Sequence, residues 1–384
     1  MTKPDFLQRS LREKAIAVLA IVLGGFVFYT SFAGPFESLI QRAGFVAMIS
    51  TLAVLMYPLF AGTRWRPLGI AIDILIVAVC LTASGYIITN FDQIMTDLPL
   101  AGPLDIALAA GALLAVLELA RRTSNAVFPT LVLLSVAYAY FGYLIPGQFG
   151  HRGFDVGYLS EIVFLSDRGL WGMLVNVAST TLAAFVLFGA MLLHSGAGQT
   201  FFDLSARIGG SRPGGAAKIA TLASGFFGAI NGSTVANVAT TGNFTIPLMK
   251  RLNYPAAYAG AVEAVASTGG QLAPPIMGTA AFVMAEIIGI NYWSIALAGV
   301  VPAFLFYVGV YVTVHVIARR GHFKAVDAKD LPDWRDALTL ERIAPIIAAF
   351  GGLVFGIVNG NSVELTACYA MIAMVVAVAL TRTL

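Results

Sequence analysis

Residues 232–286 read GSTVANVATTGNFTIPLMKRLNYPAAYAGAVEAVASTGGQLAPPIMGTAAFVMAE, and the spacing of charge, glycine and proline in this stretch decides the fold. Lys250 and Arg251 divide it. The apolar run before them starts after Lys218, so 31 residues (219–249) lie between basic flanks. That length is too great for one crossing of a ~30 Å hydrocarbon core and too small for two crossings with a turn, so it predicts a re-entrant helical hairpin. The run after them, residues 254–286, would reach ~50 Å as one straight helix at ~1.5 Å per residue. It must break. The segment STGGQLAPPIMG (267–278) is where regular helix is weakest, because it holds two adjacent glycines and two adjacent prolines.

Composition agrees with a chain built for lipid. The 384 residues are 58% hydrophobic and only 11% charged, with a mean hydropathy of +0.84. Soluble globular and disordered classes both need far more charge. A transmembrane β-barrel would alternate apolar and polar residues, whereas nine further apolar runs here are continuous: 15–33, 44–60, 68–89, 104–119, 126–145, 172–193, 294–317, 343–358 and 365–380. The chain therefore reads as an all-α polytopic membrane protein. The first run follows Lys3, Arg9, Arg12 and Lys14, and at nineteen residues it exceeds a signal-peptide core, so it reads as an anchor. Cys80 and Cys368 fall inside apolar runs, where small buried side chains are expected.

Basic residues orient the spans. A cytoplasmic N-terminus places Arg64, Arg66, Arg121 and Arg122 on the cytoplasmic side and the acidic loop with Asp92 and Asp97 outside. Of the 23 Lys and Arg residues, all but Arg42, Arg152 and Arg168 then face inward. If residues 219–249 crossed once instead, the nine basic residues from Lys250 onward would change sides and the bias would vanish. The organisation expected is a four-helix module (1–122), a connecting membrane helix (123–149) and a larger domain (150–384) holding the hairpin and the broken helix. Residues 146–168 read as a loop or surface helix, and 201–210 as an amphipathic interfacial helix. Residues 319–342, with six basic and five acidic side chains, read as a solvated linker. Trp171, Tyr292 and Trp293 read as an interfacial aromatic belt.

Irregular backbone at membrane depth survives only where protein buries it or water reaches it. The hairpin centre, GAINGSTVANVATTG (228–242), and the break at 267–278 both mix glycine with Ser, Thr, Asn or Gln. Such places expose helix N-termini that attract carboxylates, and oxygens that suit a hard cation. Small residues also permit close helix packing, but two clusters, each on a segment whose length requires a break, favour a binding site. Ser233, Thr234 and Asn237 offer oxygens from one turn of the second hairpin arm, with Asn231 or Ser233 as its cap. Gly232 and Thr241 in the hairpin, and Ser267 and Thr268 in the break, extend the polar set. Gly269 and Gly270 permit close backbone approach, and Pro275 suits the start of a second half-helix. Glu263 lies within the first half-helix, where insertion of a charge costs roughly 2.5–3.5 kcal/mol, so it is expected to couple or to brace. Asp73 and Asp105 lie nearer span ends and read as structural. His, Asp and Glu are too sparse for a convergent catalytic set, so no enzyme activity and no metal cofactor are expected; nucleic-acid binding has no support.

Over residues 232–286 the sequence resembles the permeases of tripartite ATP-independent periplasmic (TRAP) transporters, in the fused type that joins small and large membrane subunits. Weaker similarity extends through 150–198 and to the end. The resemblance implies sodium-driven, elevator-type import of an organic acid across the inner membrane, with a soluble periplasmic binding protein of the TAXI class as partner. It implies that Ser233, Thr234, Asn237, Gly269, Gly270, Gln271 and Pro274 help form a sodium site and border the substrate site, with Ser233, Thr234, Asn237 and Gly270 on the sodium. It also implies that residues 1–122 correspond to the small subunit, and that a second hairpin and second broken helix would follow. Only three more apolar runs follow, none of them a second hairpin, so the chain reads as the first half of an inverted repeat, truncated or completed by a separate chain. Two other readings are a non-transporting membrane scaffold subunit and an integral-membrane enzyme acting on lipid-linked substrates.

Overall fold

A computed structural model describes residues 10–96 and 100–383; Lys3, Arg9 and Asp97, used above for orientation, lie outside them. The described residues fold entirely as helix and connecting turns, and nine of the helices are long and apolar enough to cross a membrane. These are Leu11–Ala33, Ser38–Met56, Arg66–Thr89, Pro103–Thr123, Val127–Leu144, Met173–Gly209, Tyr292–Arg320, Leu340–Val358 and Val363–Thr383. Each coincides with one of the nine apolar runs. The protein is a multi-pass membrane protein with two compact units, Met1–Thr180 and Thr181–Leu384.

In the first unit, Leu39, Ala43, Ala83, Ile87, Ala109 and Ala112 pack with Phe164, Leu165 and Trp171. Alanine dominates because lipid gives helices no hydrophobic reason to associate, so close approach of backbones must supply the attraction. Asp73 proves structural, as expected: Arg122 Nη1 reaches its Oδ1 at 2.5 Å, and Leu59 N donates to Oδ2 at 3.2 Å. Asp105 caps its own helix, accepting from Gly102 N at 2.8 Å. Residues 146–168 contain a short helix, Val156–Phe164, started by Asp155, whose Oδ1 accepts from Tyr158 N. Trp171 is a correction to the aromatic belt: it is 2% exposed and its indole donates to Phe164 O at 2.7 Å. Both cysteines are buried.

In the second unit, the run ending at Gly209 is not a straight rod. Leu193–Ala197 is a π-helical turn, Gly196 takes φ 100°, and the amphipathic helix Gly198–Gly209 follows from that bend. Only glycine enters this region of φ without strain. Leu340–Val358 and Val363–Thr383 pack through Gly352 and Gly356; a Cβ on Gly352 would lie 2.6 Å from Ala370 Cα. Residues 319–342 are mostly exposed, as a solvated linker would be, but the segment is anchored at a few points. Val326 and Leu331 are buried against Ala206 and Ile219, Val326 N donates to Gly210 O, and Arg342 pairs with Asp203 at 2.7 Å. The alternation of charge concealed two apolar residues that find a partner only in the folded unit.

Candidate functional site

A helical hairpin forms, but its arms run past the expected bounds of 219–249: Lys218 lies inside the first arm, and Lys250 and Arg251 end the second. Its first arm is Gly215–Asn231 and its second Thr234–Arg251. Gly232 ends the first arm in the left-handed region, φ 60°, with its N–H on Gly228 O. Ser233 then caps the second arm by accepting from Ala236 N, and Asn231 Oδ1 accepts from Ser233 N at 3.0 Å. The broken span follows as Ala256–Thr268, a 3-10 turn at Gly269–Gln271, irregular backbone, and Thr279–Ile288.

The two irregular places meet. Ile276 N donates to Ala229 O at 2.9 Å, and a Cβ on Gly232 would lie 2.6 Å from Met277 O. Deeper in, a Cβ on Gly228 would lie 2.3 Å from Gly270 Cα. Only hydrogen at both positions lets these backbones touch. Gly269 faces elsewhere, under Phe306 and Tyr307 of Tyr292–Arg320. Four helix ends therefore gather here. The C-terminal ends of Gly215–Asn231 and Ala256–Thr268 bring carbonyls, while the N-terminal ends of Thr234–Arg251 and Thr279–Ile288 bring N–H groups and partial positive charge.

Asn237 sits inside this junction, fully buried. Its Nδ2 donates to Ser224 O at 2.8 Å and Ser267 O at 3.5 Å, which leaves Oδ1 buried with no hydrogen-bond partner. Thr241 and Thr245 continue the same face of the second arm at four-residue steps. Both hydroxyls donate to the fully buried Glu263 carboxyl group, Thr241 to Oε1 and Thr245 to Oε2. Ser224 adds a bond to Oε1 at 3.3 Å and Ser267 another at 3.1 Å. Glu263 thus ties both hairpin arms to the first half-helix through three hydroxyls, Ser224 on one arm and Thr241 and Thr245 on the other, while Ser267 braces it from its own helix.

The structure brings together Asn231, Gly232, Ser233, Asn237, Thr241, Ser267 and Gly270, with Glu263 beneath them. Thr234 is partly buried just past the cap; Thr268 and Gln271 are exposed, and the Thr268 hydroxyl is spent on Ala264 O. Pro274 and Pro275, joined by a cis peptide bond, lie in the irregular segment. Pro275 does not begin the second half-helix, which starts at Thr279 after the Gly278 cap. The N–H groups of Ile276 and Gly278 are taken by Ala229 O and Gln271 O, outside the half-helix.

Sequence reasoning missed Ser224, Thr245, Tyr307 and the part played by Tyr292. Thr245 was legible as the third member of a four-residue stripe. Tyr292 is buried, not interfacial; its hydroxyl donates to Pro275 O at 2.7 Å and accepts from Met277 N at 3.3 Å. Trp293, packed on Phe185, is buried too. Tyr307 donates to the carbonyls of Ser224 and Ala266.

A helical hairpin whose Ala229 carbonyl accepts a backbone hydrogen bond from the broken segment is like the discontinuous helices that build transporter sites, and the DctM component of tripartite ATP-independent periplasmic transporters matches residues 112–384. The chain belongs to this family. The DctM-family chain is 31% identical over 150 residues to a C4-dicarboxylate TRAP transporter large permease protein of Pseudomonas aeruginosa, covering 39% of the chain and 35% of that protein. It is 29% identical over 122 residues to a 2,3-diketo-L-gulonate TRAP transporter large permease protein of Escherichia coli, covering 32% and 28%. An uncharacterized protein of Salmonella typhimurium, YgiK, is 27% identical over 190 residues, covering 48% and 43%. The chain spans less than half the length of these curated relatives.

Proposed function

We propose that this DctM-family chain is the permease of a sodium-driven secondary transporter importing an organic acid handed over by a periplasmic binding protein. The observation that carries the reading is the orphaned oxygen Asn237 Oδ1, fully buried where four helix ends meet. A hard cation takes oxygen ligands, and Asn237 Oδ1 with neighbouring carbonyls at the C-terminal helix ends supplies them. The N-terminal ends at Ser233 and Gly278 favour the carboxylate of a substrate. Named substrates of two relatives, a C4-dicarboxylate and 2,3-diketo-L-gulonate, support an organic acid.

In this reading the hairpin and first half-helix, tied by Glu263, move as one body in an elevator-type displacement. Residues 1–122 act as a fused small-subunit-like module, 123–149 connect, and 150–384 form the first part of the large permease domain. The partner is a TAXI-type binding protein and the site is the inner membrane, with a cytoplasmic N-terminus.

The test is uptake by the transporter reconstituted with its binding protein under an imposed sodium gradient. Uptake that follows the gradient, and loses its sodium dependence in Asn237→Ala or Ser233→Ala, is expected. Equal uptake when sodium is replaced by potassium would overturn the coupling.

A further inference from the structure

Lys218, on the first hairpin arm, is 1% exposed, and among the described residues no carboxylate lies within ion-pair distance of it. Its Nζ lies 2.9 Å from Nδ1 of His315 on the helix Tyr292–Arg320 and 5.4 Å from the centre of the Tyr311 ring on the same helix. An ammonium group has donors and no acceptor, and so has an imidazolium. The contact therefore exists only while one of the two nitrogens keeps a lone pair, which means that the pair holds one positive charge and not two.

The surroundings supply nothing to neutralise a second charge. Arg319, on the same helix as His315, and Arg212, in the turn before the hairpin, act on the pair through their own positive charge. The amphipathic helix Gly198–Gly209 presents Gly209 to Lys218, and its Asp203 is committed to Arg342. Tyr311 offers a ring face, which attracts a cation but cannot take a proton from one. His315 is only partly buried, so protons reach it from outside.

We propose that Lys218 and His315 form a proton-binding clasp between the hairpin and the helix Tyr292–Arg320, closed when the pair holds one charge and opened by a second proton. Opening frees the first turns of the hairpin's first arm from that helix. The clasp uses none of the residues placed in the junction around Asn237, so it stands or falls separately from sodium coupling.

Hydrogen exchange followed by mass spectrometry on the full chain in detergent, corrected for intrinsic exchange, tests it between about pH 8 and about pH 5, either side of the ordinary imidazole value near 6.5. Wild type is expected to lose protection at least about tenfold over residues 215–222 on acidification, while residues 340–358 stay unchanged. His315→Gln keeps an acceptor for Lys218 but cannot take a proton, so its protection is expected to be the same at both pH values. Lys218→Met removes the second cation and is expected to behave likewise. Protection in wild type that does not change with pH overturns the clasp, even if neither variant folds. So does an acid-induced loss of the same size in His315→Gln.

Discussion

Gly228 of the hairpin and Gly270 of the broken helix touch through their backbones, with a Cβ on Gly270 falling 2.6 Å from Gly228 Cα. The contact fixes how far two otherwise separate breaks in helical structure interpenetrate. Its immediate neighbour is the Asn237 amide, with Nδ2 3.1 Å from the position of a Cβ on Gly228. The spacing of the junction is thus set by the absence of two methyl groups.

Gly228→Ala and Gly270→Ala are therefore expected to destabilise the protein by about 1–3 kcal/mol or more each, as overpacking does where the obstructing atoms are backbone. Gly260→Ala, in Ala256–Thr268 with open space at its Cβ position, is the control and is expected to be neutral or stabilising. Thermal unfolding in detergent compares the three. Equal melting temperatures for Gly228→Ala and Gly260→Ala would contradict the contact.

Thr245→Val leaves Glu263 Oε2 without its hydroxyl donor in a fully buried place, whereas Thr241→Val leaves Oε1 with Ser224 and Ser267. A loss of about 1–3 kcal/mol is expected for Thr245→Val and a smaller one for Thr241→Val. Because both act on one carboxyl group, the double variant is expected to depart from the sum of the single changes by about 0.5 kcal/mol or more. Strict additivity in denaturant unfolding would separate the two threonines from a shared network.

Tyr292→Phe removes the hydroxyl that holds Pro275 O and Met277 N, with little change of volume. Global stability is expected to fall by about 1–3 kcal/mol. Hydrogen exchange is expected to rise at Met277 while Ile276, bonded to Ala229 O, keeps its protection. Unchanged exchange at Met277 would remove Tyr292 from the bracing of the break.

Arg122→Met leaves Asp73 in the first unit without its cation, with only the Leu59 N–H, and takes one partner from Glu118, which keeps Arg121; the side chains of Arg122 and Asp73 are 5% and 11% exposed. Breaking a buried pair from one side costs about 3–5 kcal/mol, whereas replacing both partners with apolar residues is often neutral. The double variant Asp73→Leu/Arg122→Met is expected to recover most of the loss. A double variant no more stable than Arg122→Met alone would show that the pair is not what holds these helices.

The sequence alone determined where the chain enters lipid and where it cannot remain helical. Both are local properties: apolar length is measured against a fixed bilayer thickness, and glycine and proline weaken helix wherever they stand. Hence nine candidate spans, the presence of a hairpin around 219–249 and the break between Thr268 and Thr279 were legible, though the hairpin arms run past Lys218 and Lys250. Tertiary structure alone decided which polar groups face one another. Ser224 and Ser267 receive Asn237 from thirteen and thirty residues away, and Tyr292 turns inward to the break it follows. The same holds for Val326 and Leu331, read as solvated and found buried. Helical periodicity says which residues share a face, but the rotation of that face toward a neighbour is set by how closely backbones pack, here down to the hydrogen atoms of Gly228 and Gly270.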